Sequence, residues 1–246
     1  MQAQRCREVK MNITNKYNLP NGLYRALQKM SYISDDFNTI SVSDLINPPL
    51  IWYLKKLHKD EIEEDASERL WALLGTAVHY IIAEGEDQNL TEERLEIEID
   101  GFRIRGRFDV YTEEKEILDY KITSMWSLEK PEWTRQINVY AYMLRRTGFE
   151  VEKGFIYAIL RDWNKRQAKE TMPIPFVVYE IPIWTIEEQE KYIRERIQLF
   201  RTIQNSNIED FICEEQDRWK NNIRCKMYCS VNKFCPFYLR EVQDDK

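Results

Sequence analysis

Two stretches near the middle of the chain alternate between apolar and charged positions. In RLEIEIDG, Leu95, Ile97 and Ile99 alternate with Glu96, Glu98 and Asp100. In FRIRGRFDV, Phe102, Ile104, Phe108 and Val110 alternate with Arg103, Arg105, Arg107 and Asp109. A period of two puts each set on its own face of a strand. Gly101 lies between the runs, so they predict a hairpin whose acidic and basic faces pair across it. A third strand is predicted over EILDYKIT, residues 116–123, with Leu118, Tyr120 and Ile122 on one face and Asp119 and Lys121 on the other.

Helical spacing governs other segments. ERLWALLGTAVHYIIAEG repeats Leu70, Leu74, Ala77, Val78 and Ile81 and predicts a helix of several turns. EWTRQINVYAYMLRRTG predicts a second helix, capped by Gly148, and TIEEQEKYIRERIQLFRTI a third with Thr185 as N-cap. VEKGFIYAILRDW and PFVVYEIPIW read as strands joined by the basic connector NKRQAKE. Upstream, residues 1–40 are polar, with a turn at Leu19–Gly22 and a short helix expected around Leu23–Met30. In SVSDLINPPLIWYLKK, Ser43 or Asp44 is expected to cap a short helix, and Pro48 and Pro49 break the pattern. Residues 60–69 are acidic and polar and predict a solvated stretch. No internal repeat is visible. The order of elements predicts an α/β fold, a mixed central β-sheet flanked by helices. The expected organisation is an arm (1–40), a core (41–205) and a cysteine-rich tail packed on the core (206–246).

Composition sharpens this picture only in part. A chain of 246 residues, 43% hydrophobic and 13% aromatic, can bury one large core. No apolar run approaches a membrane span, and MQAQRCREVKMN has no apolar leader segment, so an intracellular protein is expected. The net charge of −6 argues against a broadly basic nucleic-acid surface but leaves room for a local basic groove. Of five cysteines, Cys6 stands alone, while Cys213, Cys225, Cys229 and Cys235 crowd the end of the chain. In a reducing compartment such crowding points to metal or cluster binding.

The chemistry-bearing residues follow in order. GTAVH carries His79, GRFD carries Asp109, LDYK carries Asp119 and Lys121, and QINVY carries Gln136 and Tyr140 on one helical face. Each alone has a plain reading: a core histidine, a surface ion pair, a packing face. The Arg103, Arg105 and Arg107 row reads equally as a solvated strand face or as a groove for a phosphate backbone, and so do Arg161, Lys165, Arg166 and Lys169.

As an ordered set, the four motifs resemble the RecB-like branch of the PD-(D/E)XK nucleases over roughly residues 70–160. ISVSDLINPPLIWYLKK, ILRDWNKR and CEEQDRW…CKMYC…FCP resemble phage-encoded members. The resemblance implies a restriction-endonuclease-like fold and a Mg²⁺-dependent DNA nuclease, an exonuclease of phage DNA recombination, replication or repair. It implies that Asp109 and Asp119 hold Mg²⁺ or Mn²⁺ with His79 as nitrogen ligand. Lys121 would orient or deprotonate the attacking water, metal proximity and desolvation lowering its pKa. Gln136 and Tyr140 would hold the strand or the site's geometry. DNA is the implied partner, with a single-strand annealing protein or a helicase beside it. Members often carry a carboxylate one turn after the histidine; here Ala83 stands there, with Glu84 and Glu86 nearby.

The late cysteines resemble the iron–sulfur staple of certain RecB-like nucleases, which implies a [4Fe–4S] cluster on Cys213, Cys225, Cys229 and Cys235, with Cys6 in reserve. Zinc on the same four, or buried free thiols, are the other readings. The spacing departs from the family's x2-then-x5, with x3 between Cys225 and Cys229. Rival functions are a catalytically silent DNA-binding or docking subunit on the same fold, and a CRISPR-associated RecB-like nuclease.

Overall fold

A two-residue turn joins the two alternating runs. Asp100 (φ 50°) and Gly101 (φ 77°) both adopt the left-handed conformation, as a two-residue hairpin turn of primed type requires. Glycine takes that conformation without a Cβ clash. The computed structural model describes residues 8–10, 12–29, 32–34, 36–166 and 172–243. By internal contacts they form two units, residues 41–46 with 74–194, and residues 1–40 with 47–73 and 195–246.

The first unit holds helix α1 (Val42–Leu45), most of α2 (Leu70–Gly85), strands β1 (Leu90–Thr91), β2 (Arg94–Ile99), β3 (Phe102–Arg107), β4 (Val110–Tyr111) and β5 (Glu116–Thr123), helix α3 (Pro131–Arg146), strands β6 (Lys153–Leu160) and β7 (Phe176–Ile181), and the start of α4 (Ile186–Asn205). Five strands form one mixed sheet in the order β7-β6-β5-β4-β1, with β5 and β6 parallel and the other pairs antiparallel. The β2–β3 hairpin lies outside this sheet. FRIRGRFDV, uniform in pattern, therefore divides at Phe108–Asp109 into β3 and β4. The antiparallel alternation would next set Tyr120 N–H against Phe108. Instead the Asp109 carboxylate accepts that N–H at 2.7 Å.

Parallel pairing sets Ile117, Asp119, Lys121 and Thr123 beside Gly154, Ile156, Ala158 and Leu160 on one face. Helix α3 covers that face and buries Trp133, Ile137, Tyr140, Ala141 and Leu144. Full burial of one such large apolar side chain is worth ~1.5–3 kcal/mol. The helix ends in a Schellman turn, with Phe149 N–H donating to Leu144 C=O at 3.0 Å. Thr185 and Glu188 form a capping box at the start of α4, their side chains accepting each other's backbone N–H at 3.2 and 2.8 Å. Asn138, buried in α3, ties the two helices together. Its amide donates to the Thr134 and Pro182 carbonyls, and its oxygen accepts from Trp184 N–H and Gln189 Nε2.

Three local expectations change. The short helix α1 is capped by Ser41, whose Oγ accepts Asp44 N–H at 3.0 Å, rather than by Ser43 or Asp44. The α2 stripe is not buried: Leu70, Leu74, Ala77 and Ile81 are exposed, Val78 is partly exposed, and no residue of α2 is buried. Residues 60–69 are not uniformly solvated, since Ile62, Asp65 and Ala66 are buried.

In the second unit Asp65 explains that burial. Its carboxylate accepts from Thr14 Oγ1 and Lys16 N–H at 2.8 Å, and from Ser67 Oγ and N–H at 2.7 and 3.0 Å. It thereby joins the parallel pair of strands 12–14 and 63–65 over a small core of Ile13, Leu27 and Ala66. Helix Pro49–Leu57 buries Leu50, Trp52 and Leu54, with the Trp52 and Phe200 rings edge to face at 4.9 Å. Lys56 is buried too, its ammonium donating to the Ser34 and Asp36 carbonyls at 2.8 and 2.7 Å. The His58 ring stacks on Phe234 of the C-terminal segment at 3.9 Å. No helix among the described residues is long and apolar enough to cross a membrane.

Two predictions follow from packing. A Cβ on Gly106 would lie 2.6 Å from Tyr140 Cε1 and 2.6 Å from Val42 Cγ2. Gly106→Ala should therefore destabilise by ~1–3 kcal/mol, as overpacking does, measured by urea denaturation. An unchanged midpoint would contradict this reading. The N–H of Lys16, then the Ser67 hydroxyl, hold the Asp65 carboxyl well below the usual range. A group depressed in the folded state stabilises fully above its unfolded pKa of about 4, and that contribution fades as pH falls toward the folded value. Asp65→Asn should lower the melting temperature at neutral pH and flatten its fall below about pH 4, checked by melting across pH.

Candidate active site

Strand β5 brings an acid and an amine to one face two residues apart. Asp119 is 2% exposed, which the plain reading of a solvated surface pair does not allow. Lys121 Nζ lies 2.6 Å from Asp119 Oδ2 and donates to Gln136 Oε1 at 2.9 Å. Gln136 Nε2 donates to Asp119 Oδ1 at 3.1 Å. The three side chains close a triangle between β5 and α3. Asp119 Oδ2 is buried, with the Lys121 ammonium as its close ionic partner. Burial pushes the Asp119 carboxyl up, to about 6, against the pull of Lys121 and with a further push from Asp109. A buried carboxylate with a second acid close by is stabilised in its charged form by a cation.

Asp109 stands beside this triangle, at the break between β3 and β4. Its Oδ1 lies 3.0 Å from His79 Nδ1 of α2, while Oδ2 is held by Tyr120 N–H. Glu92 completes the group, with Oε1 3.8 Å from His79 Nδ1 and Oε2 2.8 Å from Arg107 Nε. One donor atom from each of His79, Glu92 and Asp109 lies within 4.8 Å of the others. The hydrogen bond to Asp109 raises the His79 pKa, and Asp119 and Glu92 add to it against the cost of burial. Hard carboxylate oxygens with one imidazole suit Mg²⁺ or Mn²⁺, so the residues present fit the ion.

Tyr140 is buried, and its hydroxyl donates to the Arg107 carbonyl at 2.8 Å. It braces the end of β3 next to Asp109 from below, in the space that Gly106 leaves free. Burial raises its pKa, which suits a structural donor. The arginine row lies on the exposed hairpin face: Arg103 and Arg105 pair with Glu96 at 3.3 and 2.6 Å.

Glu92 was not singled out by the sequence patterns. It sits in a turn with positive φ, its N–H donating to the Asp109 carbonyl at 2.9 Å. Nothing in LTEER marks one glutamate over its neighbour. The missing carboxylate one turn after His79 was the signal that a substitute should be sought. Glu84, the neighbouring acid on α2, is exposed.

In the second unit, Cys213, Cys225, Cys229 and Cys235 line one cavity together with Leu50, Leu54, Arg218 and Arg224. Burial pushes the Cys213 thiol up to about 12 and raises Cys225 and Cys229, and each is pushed further by its neighbouring cysteines. Four such sulfurs cannot all ionise beside one another without a cation; among the described residues the group with ligand atoms within 4.8 Å of one another is His79, Glu92 and Asp109, and the cysteines do not form one. Arg218 fixes the loop by donating to the Cys213 carbonyl at 3.0 Å, and Asn232 does the same at Cys225. Cys6 and Lys169 lie outside the described residues.

A sequence search of curated proteins returns no match. Among solved structures, the chain is similar to the protein SSO0001, with a TM-score of 0.60 and 22% identity over 87% of this chain and 94% of that one. It is also similar to an alkaline exonuclease from Laribacter hongkongensis, with a TM-score of 0.42 and 13% identity over 76% of this chain and 95% of that one. The first is a likeness of fold. The sequence model of the PD-(D/E)XK nuclease superfamily matches residues 83–236, well over half of the chain. That span takes in Asp109, Asp119, Lys121, Gln136, Tyr140 and the four late cysteines and begins just after His79, and the chain belongs to the PD-(D/E)XK nuclease superfamily.

Proposed function

We propose that the protein is a Mg²⁺- or Mn²⁺-dependent DNA nuclease, acting as an exonuclease on DNA ends. The observation that carries the reading is the buried Asp119, paired with Lys121 and Gln136, close to the Asp109 that groups with His79 and Glu92. In this reading Asp109, Asp119 and His79 hold the ion, and Glu92 stands where the family's additional carboxylate is missing. The ion, when bound, would supply charge for the phosphoryl oxygens and a nucleophilic water. Lys121 is a quarter exposed, so its ammonium can reach a substrate phosphate or orient the attacking water. Gln136 fixes Lys121 and Asp119 relative to each other, and Tyr140 fixes the strand end that presents Asp109. The resemblance to phage-encoded relatives supports a role in DNA recombination, replication or repair, alongside an annealing protein or helicase.

We read the four-cysteine cavity as the seat of a [4Fe–4S] cluster that ties the C-terminal segment to helix Pro49–Leu57. Its chemistry would be structural, since the hydrolytic groups belong to the other unit.

End-labelled linear and closed circular DNA, with and without Mg²⁺, test the nuclease reading. The wild type should degrade the linear form with Mg²⁺ only. Lys121→Ala and Asp119→Asn should each lower the rate by ~10²-fold or more, with folding retained in circular dichroism. Glu92→Gln should raise the Mg²⁺ concentration for half-maximal rate by about tenfold. Wild-type rates in the Lys121 or Asp119 variant would sink the assignment. A wild type that binds DNA and cuts nothing with any divalent ion would favour the silent-subunit reading.

Anaerobic purification should give protein with broad visible absorption and bound iron and sulfide, both lost in Cys213→Ser. Stoichiometric zinc without iron would replace the cluster with a zinc site. Well-folded protein with neither metal would remove the staple altogether.

A further inference from the structure

The parallel strands β5 and β6 end side by side, Thr123 opposite Leu160. Ligands of open α/β sheets gather at such carboxyl ends. Two turns follow there and are laced to each other. Asp162 accepts Ser124 Oγ at 2.6 Å and Met125 N–H at 2.8 Å, and Arg161 N–H donates to the Thr123 carbonyl at 3.0 Å. Thr123, on the same face as Asp119 and Lys121, donates its hydroxyl to the Ser127 carbonyl at 3.0 Å. The turn therefore curls over the face that carries the acid and the amine.

On this pinned turn stands Trp126, 79% exposed. The neighbouring Trp163 shows the contrast, since it is partly buried with its indole N–H donating to the Met172 carbonyl at 3.1 Å. The second turn, tied to the first through Asp162, presents Arg161, Lys165 and Arg166, all exposed. A pinned turn that holds a large aromatic ring in water, tied to a turn that bears three cations, has the make-up of a stacking platform for an unpaired strand. From Lys121 to Thr123 the strand rises ~7 Å, about two stacked nucleotides, before the turn begins.

We propose that Trp126 stacks an unpaired base of the DNA substrate while Lys165, Arg166 and Arg161 hold its phosphates, so that the site takes a single strand. The proposal rests on the nuclease reading for its substrate, but its test does not need cleavage. The exposed ring makes no demand on the fold, so Trp126→Ala should keep the wild-type melting curve.

Fluorescence anisotropy with labelled oligothymidylate in EDTA gives the readout. Trp126→Ala should weaken binding about tenfold or more, the loss of one stacked base, and Trp126→Tyr should restore most of it. The wild type and Trp126→Ala should bind a fully abasic strand equally. The double variant Lys165→Ala/Arg166→Ala should lower the salt-dependence slope by about 1.4, at ~0.7 per phosphate on single strands. Wild-type affinity in Trp126→Ala, an equal loss on the abasic strand, or no binding of oligothymidylate by the wild type would each overturn the platform. Failure of the nuclease reading shows separately, as absent Mg²⁺-dependent cleavage with these binding differences intact.

Discussion

A carboxylate withdrawn from water is the constraint around which the rest of this molecule is arranged. Asp119 is almost wholly enclosed, and charge in that position is costly unless it is matched. Lys121 matches it from one side and Gln136 hydrogen-bonds it from another. A surface pair would be solvated on every side and worth little. Here the low-dielectric setting strengthens each polar contact. Asp109 adds a second negative charge that acts on Asp119, and Asp109 belongs with His79 and Glu92 to a group that a divalent ion would complete.

The sheet makes room for this by coming apart at one place. Strand β4 pairs with β5 only as far as Val110 opposite Leu118, and beyond it the Asp109 carboxylate takes the Tyr120 amide. The separating strand ends leave a fork with Asp109 at its vertex, and His79 and Glu92 approach the same carboxylate. Gly106 and Tyr140 are the counterpart on the buried side. The ring occupies the space of an absent side chain and its hydroxyl holds the Arg107 carbonyl. The first and last residues of the GRFD motif therefore each have a mechanical reason, the glycine to admit the ring and the aspartate to end the pairing.

Much of this was legible in the chain itself. Period-two alternation located the hairpin and β5, because one-sided burial imposes it on the residues. The i, i+4 spacing put Gln136 and Tyr140 on one helical face, although only the structure separates them, Gln136 at the acid and Tyr140 beneath the strand end. Glu92 was invisible because its position depends on a turn conformation and on a partner seventeen residues on, neither of which leaves a periodic trace. The division at Phe108–Asp109 was hidden for the opposite reason: the alternation runs through it unbroken, and a side chain replaces a backbone acceptor without altering the pattern. Asp65 likewise looked solvated among acidic neighbours, when four donors had drawn it inside.

The Asn138 knot has a mechanical consequence for the whole site. Its amide group grips α3 itself, the Pro182–Trp184 connection and Gln189 of α4 at once. A helix can ordinarily creep along a sheet by small slides, each residue of slip being ~1.5 Å. Here a slip of one residue would break the bonds to the connection and to α4 together, in a setting with no water to replace them. Gln136, two positions earlier on the same helix, inherits that immobility, so hydrogen exchange at this end of the site should require α3 to lift away as a unit.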